Sequence, residues 1–242
     1  MKIGIIGGGQ LARMLCQAAH GMGLKASVFT KNKSDCACEV ANAFVLDDGS
    51  SEKIADFVAS IDLLLIENEF FEFERWKPFL NEKPIYPSLE CLLHARNKLE
   101  QKRLLKSKKM GTLPFVEIES RGDLNTVAAK FGKSVVIKRA LHGYDGKGTF
   151  IFGGSFDPEK FWNTHGAFQG YAEPKVKFKK ELSVVVARSV KGEIKTFPLV
   201  ETWQDDGICE ATVGPAKAPA TVEKKCYDLA KKVILAFKGV GV

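Results

Sequence analysis

Short apolar runs alternate with amphipathic stretches over roughly the first 90 residues of the chain. The apolar runs predict strands, and the stretches with apolar residues at helical spacing predict helices. The predicted strands cover residues 2–6, 26–29, 44–46 and 62–66, and the predicted helices cover residues 11–22 and 51–59. Because consecutive parallel strands need crossover helices between them, this alternation predicts a doubly wound parallel sheet.

The pattern changes after Pro84 and Pro87. Residues 88–109 predict a helical connector, and a smaller unit that mixes strands and helices follows it. Strands are predicted at residues 115–118, 134–138 and 149–152, helices at 123–131 and 221–237, and a long hairpin at 181–200. The predicted fold class is therefore α/β, with an N-terminal doubly wound parallel sheet followed by an α+β domain.

Composition and charge exclude several classes of protein. Of the 242 residues, 45% are hydrophobic and 27% are charged, which is typical of globular proteins. No apolar run approaches the roughly 20 residues of a transmembrane helix, and no signal peptide is visible, so we expect no membrane association and a cytoplasmic location. Although the net charge is +7, lysine-rich faces are usually solvated, and we expect no nucleic-acid partner. The six cysteines include no CxxC pair, which indicates reduced thiols and no metal site.

A glycine-rich turn, Gly7-Gly8-Gly9-Gln10-Leu11-Ala12, joins the first predicted strand to the first helix. In this G-x-G-x-x-A pattern, glycines permit a tight turn and the helix N-terminus offers N–H groups to an anion. A Rossmann reductase would also need an acidic residue at the end of the second strand, where the chain has Thr30-Lys31-Asn32-Lys33. The turn therefore favours a substrate phosphate or another polar substrate group, with NADP binding and tight packing alone as the alternatives.

Two carboxylates, Glu67 and Glu69, directly follow the fourth predicted strand. Ligands of open parallel sheets bind beyond the carboxyl ends of the strands, so these acids are expected near Gln10 and the substrate. The alternative is that one of them is a solvated acid at the start of a helix.

A lysine that ends an apolar strand, Lys138, precedes three glycines within six residues, Gly143, Gly146 and Gly148. Glycines let backbone N–H groups surround phosphates, and the lysine supplies a fixed cation. The segment is not a P-loop, because no Ser or Thr directly follows Lys147. We predict a phosphate-binding loop here, with a flexible hairpin as the alternative.

Four segments together resemble the ATP-grasp superfamily. They are the Gly-Gly-Gly-Gln-Leu turn, the Glu-Asn-Glu end of the fourth strand, Lys-x-x-x-x-Gly-Tyr-Asp-Gly-Lys-Gly, and Lys-Lys-Glu-Leu-Ser-Val-Val-Val-Ala-Arg. The chain is most similar to the branch of 5-(carboxyamino)imidazole ribonucleotide synthetases of purine biosynthesis. The resemblance implies an ATP-dependent ligase that joins bicarbonate to aminoimidazole ribonucleotide through carboxyphosphate, in a homodimer.

The resemblance also implies which residues bind ATP. Lys98 and Lys138 correspond to basic residues at the nucleotide, Glu181 to the acid that binds the ribose hydroxyls, and Gln204 stands where relatives carry a His. The implied ATP-binding residues are Lys98, Lys138, Gly143, Tyr144, Asp145, Gly146, Lys147, Gly148, Glu173, Pro174, Lys175, Val176, Glu181 and Gln204.

Catalysis is implied for Lys138, Asp145 and Tyr144. Lys138 would neutralise charge on the transferred phosphoryl group, and Asp145, next to Tyr144 in the loop, would act on the attacking amine as general base or as positioning acceptor. The implied ribonucleotide-binding residues are Gln10, Leu11, Glu67 and Glu69. Asn68 and Phe70 reverse the Phe and Asn of the family's motif.

The family continues past the equivalent of Val242 into a strand with a metal-binding Glu. We therefore expect the Mg²⁺ ligands beyond residue 242, and the chain as given to be incomplete or inactive. The implied domains are a Rossmann-like pre-ATP-grasp substrate domain (1–92), a connector helix (93–110), an ATP-grasp lid subdomain (111–172) and part of a C subdomain (173–242). The alternatives are another ATP-grasp ligase, namely formate-dependent glycinamide ribonucleotide transformylase or a biotin-carboxylase-like enzyme, and a nucleotide-binding remnant without catalysis.

Overall fold

The computed structural model describes residues 1–69, 71–141, 143, 148–205 and 208–242. These residues form two compact units: one comprises Met1–Leu92 with Gly241, and the other comprises Leu93–Val240 with Val242. None of the helices that these residues form has the length and apolar character needed to cross a bilayer.

The first unit is built on a five-stranded parallel sheet in the order β3-β2-β1-β4-β5. Its strands are β1 (Lys2–Ile6), β2 (Lys25–Thr30), β3 (Ala43–Leu46), β4 (Leu63–Ile66) and β5 (Ile85–Tyr86), and its helices are α1 (Gln10–Gly21), α2 (Ser51–Ala59) and α3 (Phe73–Trp76). The predicted α/β class with a parallel N-terminal sheet is confirmed. The two-residue β5 and the four-residue α3 were not predicted, because segments this short have no measurable periodicity.

Successive side chains of β1 enter two different cores. Ile3 and Ile5 pack with Ala12 and Cys16 of α1, whereas Ile6 packs in a second core with α2 and α3. Because neighbouring side chains of a strand point to opposite faces, helices cover both faces of the sheet, as in a doubly wound fold. The carboxyl ends of the parallel strands, where Gly7 and Glu67 follow, therefore form the open edge of this unit.

The second unit contains a four-stranded antiparallel sheet in the order β6-β9-β7-β8, with the three-stranded sheet β10-β13-β14 and the hairpin β11-β12. Helix α4 (Leu89–Ala95) includes residues of both units. The other elements of the second unit are α5 (Lys98–Ser107), β6 (Val116–Ile118), α6 (Arg121–Phe131), β7 (Val135–Arg139), β8 (Thr149–Ile151), α7 (Pro158–His165), β9 (Gly170–Pro174), β10 (Glu181–Ser183), β11 (Val186–Arg188), β12 (Ile194–Thr196), β13 (Val200–Asp205), β14 (Ile208–Val213) and α8 (Ala220–Ala236).

Two predicted elements of this unit differ in the structure. The helical stretch at 88–109 is two helices, because Asn97 has an extended backbone and its side-chain oxygen accepts hydrogen bonds from the backbone N–H groups of Leu99 and Glu100 (3.0 and 3.1 Å). Asn97 thus caps a new helix rather than continuing the old one. The hairpin at 181–200 is divided as well: β11 pairs with β12 around the turn, while β10 pairs with β13.

Candidate functional site

The glycine turn after β1 encloses the carboxylate of Glu67. The N–H of Gly9 donates to Glu67 Oε2 (3.1 Å) and the N–H of Ala12 donates to Oε1 (3.4 Å). Gly7 has a φ of +111°, and a Cβ at Gly7 or at Gly9 would overlap the Glu67 carboxylate. The anion at the N-terminus of α1 is therefore Glu67 itself, which is a favourable place for a negative charge.

Of the four predicted substrate residues, three meet at this turn. Gln10 and Leu11 are exposed on the first turn of α1, directly beside the N–H groups that bind Glu67. The thiol of Cys36 lies 3.3 Å from Gln10 Oε1 and can donate a hydrogen bond to it. Glu69 lies two residues beyond Glu67 and is half-buried. The role of these residues in binding a ribonucleotide stays a prediction.

A cavity of about 320 Å³ opens at the carboxyl ends of β1 and β2. Two pairs of its polar side chains bind each other: Lys31 forms an ion pair with Glu72, and Thr30 donates a hydrogen bond to Asp35. The end of β2 has no acidic residue of its own, but the carboxylate of Asp35 lies there, bonded to Thr30. The predicted substrate residues are not among the described residues that line this cavity, which are Ile6, Gly7, Phe29, Thr30, Lys31, Asn32, Asp35, Asp47, Asn68, Phe71, Glu72 and Trp76.

In the second unit, Lys138 lies near the end of β7 and contacts Glu173 on the neighbouring strand β9. Its ammonium nitrogen donates to Glu173 Oε1 at 2.9 Å, and that of Lys102, on α5, lies 2.5 Å from Oε2. The Glu173 side chain is only 8% exposed, whereas that of Lys138 is 31% exposed. One buried carboxylate is therefore shared by two cations, and one of those cations reaches solvent.

Burial and the two neighbouring lysines shift the pKa of Glu173 in opposite directions. Desolvation of the charged form raises this pKa, but the hydrogen bonds and charges of Lys102 and Lys138 lower it more, so the carboxyl has a pKa below its ordinary value. Burial and the neighbouring Glu173 charge also raise the pKa of the Tyr171 hydroxyl. Glu173 is therefore ionised, and Tyr171 neutral, at physiological pH.

The start of α5 is fixed to the chain that follows β7. The backbone N–H of Lys98 donates to Ala140 O at 2.8 Å, which holds the first residue of the helix next to the Lys138 strand. Gly148, where the chain returns into β8, has a φ of +73° and accepts a hydrogen bond from Arg139 N–H (2.9 Å). Two further predicted ATP-binding positions, Lys98 and Gly148, thus adjoin the two ends of the predicted phosphate loop.

A second group of predicted residues lies on the sheet formed by β10 and β13. Glu181 Oε1 accepts hydrogen bonds from Thr202 Oγ1 (3.0 Å) and from the Gln204 side-chain amide (3.1 Å). These three side chains line a groove of about 180 Å³ together with two exposed aromatic residues, Phe178 and Trp203. A carboxylate beside aromatic rings can accept hydrogen bonds from sugar hydroxyls while the rings contact a base.

The remaining predicted ATP-binding residues are placed as follows. Pro174 ends β9, and Lys175 and Val176 leave the sheet and are exposed. Gly143 is half-buried. Four predicted residues, of which Tyr144 and Asp145 were also assigned to catalysis, lie outside the described residues, so their roles stay predictions: Tyr144, Asp145, Gly146 and Lys147.

Two residues that bind the carboxylates of these clusters, Lys102 and Thr202, were absent from the sequence prediction. Lys102 lies one helical turn after Lys98, and this i, i+4 spacing was the available signal. Thr202 contacts Glu181 because β10 and β13 pair in the register Glu181↔Thr202, which a sequence alone does not reveal. Within the described part of the chain, no group of three or more His, Cys, Asp or Glu residues is arranged to hold a metal ion.

Two domain families match the chain in sequence. The ribonucleotide synthetase preATP-grasp domain matches residues 1–96, and the ATP-grasp domain matches residues 103–242, which is more than half of the chain. A relative in sequence is the N5-carboxyaminoimidazole ribonucleotide synthase of Synechococcus elongatus, which is 33% identical over 99% of this chain and 61% of its own length.

Solved structures agree with these sequence matches. An ADP complex of N5-carboxyaminoimidazole ribonucleotide synthetase has a TM-score of 0.92 at 26% identity, over 99% of this chain and 64% of that one. The synthase from Aspergillus clavatus, in complex with ADP and 5-aminoimidazole ribonucleotide, has a TM-score of 0.86 at 26% identity, again over 99% and 64%. The chain therefore spans less than two thirds of the length of each of these three relatives.

Proposed function

Because this chain belongs to the ATP-grasp family, we propose that it binds ATP and 5-aminoimidazole ribonucleotide as part of an ATP-dependent ligase. The reaction is the carboxylation of 5-aminoimidazole ribonucleotide with bicarbonate to N5-carboxyaminoimidazole ribonucleotide, in purine biosynthesis. A cytoplasmic location and a homodimeric assembly belong to the same proposal. Its main support is the ion cluster of Lys138, Glu173 and Lys102 at the end of β7.

Lys138 is the residue of this cluster that fits a phosphate. It is a partly exposed cation at a strand end, and its partner Glu173 already holds a second cation. A phosphate oxygen can therefore replace the carboxylate as its partner without leaving a lone charge in the protein interior. Lys98 and Gly148, which adjoin the same loop, are assigned to the phosphates as well.

Glu181 and Gln204 are assigned to the nucleoside. The Glu181 carboxylate, held by Thr202 and Gln204, is oriented to accept hydrogen bonds from the ribose hydroxyls. Phe178 and Trp203 border the same groove and offer aromatic surface to a base. The segment from Glu173 to Val176 is assigned to the adenine edge.

Gln10, Leu11, Glu67 and Glu69 are assigned to the ribonucleotide. Since Glu67 occupies the N–H groups of the glycine turn, its role is to fix that turn, while the exposed Gln10 and Leu11 are free to contact a ligand. The loop residues Tyr144 and Asp145 are assigned to the attack, with Asp145 accepting the proton that the amine loses. Mg²⁺, when bound, would neutralise charge on the phosphates, and in the described part of the chain no three or more His, Cys, Asp or Glu residues are grouped to hold it.

Two measurements test this function. Calorimetric titration with ADP, with GDP as the matched control, should show binding that depends on the adenine base. Because the chain as given is expected to be incomplete or inactive, the second measurement is also of binding: 5-aminoimidazole ribonucleotide should bind in a separate titration, and glycinamide ribonucleotide should not. Failure to bind ADP would contradict the nucleotide site, and binding of glycinamide ribonucleotide only would assign the chain to the other ligase.

A further inference from the structure

Lys102 is a well-enclosed cation of the nucleotide site, and so far it appears only as the second cation of Glu173. Its side chain is 12% exposed. Besides Glu173, its ammonium group donates to Thr112 Oγ1 at 2.9 Å and lies 5.4 Å from the centre of the Tyr171 ring. A lysine with these fixed partners cannot turn toward a ligand, so its effect on the site must act through Glu173.

The backbone keeps Lys102 beside Glu173. Lys102 lies one turn into α5, whose start is capped by Asn97 and bonded to Ala140 just after β7. The helix therefore holds its cation at a constant place relative to the two strands that carry Lys138 and Glu173. Lys138, by contrast, is at its strand end and more than twice as exposed, at 31% against 12%.

The charges of the cluster do not balance, and the excess matters when nucleotide binds. Two lysines share one carboxylate, so one positive charge is left over for a phosphate. If Lys138 turns to a phosphate, Lys102 remains as the counter-ion of Glu173. If Lys102 were absent, the same movement would leave a buried carboxylate without a cation, which is costly.

We propose that Lys102 is a positioning residue of the nucleotide site: it holds the Glu173 carboxylate so that Lys138 can exchange that carboxylate for a nucleotide phosphate. This inference rests on the proposed ATP binding. It assigns no contact between Lys102 and the nucleotide. The chemistry at stake is an exchange of ion-pair partners, with no covalent step.

The positioning role and a purely structural role for Lys102 predict different dependences of ADP affinity on pH. Among the residues that the structure describes, the charged or titratable groups that face Glu173 are Lys102 of α5, Lys138 of β7 and Tyr171 of β9. In Lys102→Met, Glu173 loses one of its two cations, so burial raises its pKa. Release of Lys138 to a phosphate then favours uptake of a proton by Glu173, and ADP binding becomes coupled to that proton.

The experiment compares ADP affinity by calorimetry for the whole chain and three variants. Lys102→Met should weaken ADP binding by about tenfold at about pH 8, the size of one lost charge-assisted contact. The deficit should shrink toward about pH 6, and binding should take up protons, visible as a dependence of the heat on the buffer. Lys102→Arg keeps the charge and should restore affinity. Lys106→Met removes an exposed lysine of the same helix, over the Phe115 ring, and should bind like the wild type.

A double variant keeps the test informative if Lys102→Met does not fold. With Glu173→Gln in place, Lys102 has no carboxylate to hold, so adding Lys102→Met should change ADP affinity by less than about twofold. An equal loss in both backgrounds, or a deficit of the same size at every pH, would overturn the positioning role. If the wild type binds ADP and Lys102→Met binds it equally well, the positioning role is wrong but the proposed function is unaffected. Failure of the wild type to bind ADP would remove the function and this inference together.

Discussion

Two carboxylates, one in each compact unit, illustrate opposite ways to hold a negative charge. Glu67 is bound by backbone N–H groups of the glycine turn and helix α1. Glu173 is bound by the side chains of Lys102 and Lys138. A backbone N–H cannot leave without unfolding its turn, whereas a lysine can exchange partners within the folded state. Glu67 therefore fixes a shape, and Glu173 holds a cation that can be transferred.

The sequence requirements of the two arrangements differ accordingly. The Glu67 site needs residues without a Cβ at positions 7 and 9, because the carboxylate occupies that space. The Glu173 site needs enclosure and two cations around one carboxylate, which come from three separate elements. Substitutions should therefore damage stability at the first site and ligand binding at the second.

The largest expected effect is that of Gly7→Ala on the stability of the first unit. Alanine would have to adopt a φ of +111° and would overlap the Glu67 carboxylate, so we expect a loss of about 3 kcal/mol. Urea-induced unfolding measures it. Gly21→Ala is the matched control, because a Cβ at this position meets no atom, and its unfolding free energy should stay within about 0.5 kcal/mol. If the two variants had the same unfolding free energy, the claim that the Glu67 site requires a glycine at position 7 would be wrong.

Next in size is the effect of Lys138→Ala on nucleotide binding. Loss of a charge-assisted contact of about 1.5–3 kcal/mol should weaken ADP affinity at least about tenfold, while Lys102 still balances Glu173 and keeps the fold. Calorimetry measures the affinity, and the melting temperature checks the fold. If the ADP affinity of Lys138→Ala equalled that of the wild type, the assignment of Lys138 to the phosphates would be wrong.

How far the sequence predicts the fold depends on how local each signal is. β1 and α2 begin and end as predicted, since a short apolar run and a capped amphipathic stretch are local patterns. Strand β9 was missed because Gly170-Tyr-Ala-Glu-Pro174 has no alternation and includes a glycine and a proline, although four of its five residues are buried. Its place at the centre of the sheet comes from pairing with β6 and β7, which is non-local.

The candidate site was predictable to the same extent. Glu67 could be placed beside the glycine turn, because the carboxyl ends of neighbouring parallel strands meet at one edge. That its carboxylate would occupy the N–H groups predicted for a ligand could not be inferred, since it depends on one side-chain rotamer. Lys102 was missed for a related reason: its contact with Glu173 joins a helix to a strand 71 residues away.

A smaller loss of stability is expected for Glu67→Gln. The amide still offers one oxygen to the turn, but its NH₂ group then faces a backbone N–H, so one donor of the turn loses its acceptor. The cost should be about 1–2 kcal/mol, less than that of Gly7→Ala. Urea-induced unfolding of both variants and of the double variant measures it. Because both changes act on the same contact, the double variant should lose less than the sum, and simple additivity would count against the shared contact.

The smallest expected effect is a pH dependence of stability that comes from Glu173. Its pKa is lower in the folded chain than the ordinary value of 4.5, because two lysine contacts outweigh burial. The ionised carboxyl therefore stabilises the fold above about pH 4.5, and this contribution is lost as the pH falls through the lower, folded pKa. The unfolding free energies of the wild type and Glu173→Gln should differ at neutral pH and converge in acid. Glu210→Gln, at an exposed position of β14, should follow the wild type throughout. A gap between wild type and Glu173→Gln that stays constant into acid would show that the lysines hold Glu173 by packing rather than by charge, and the distinction from Glu67 would then disappear.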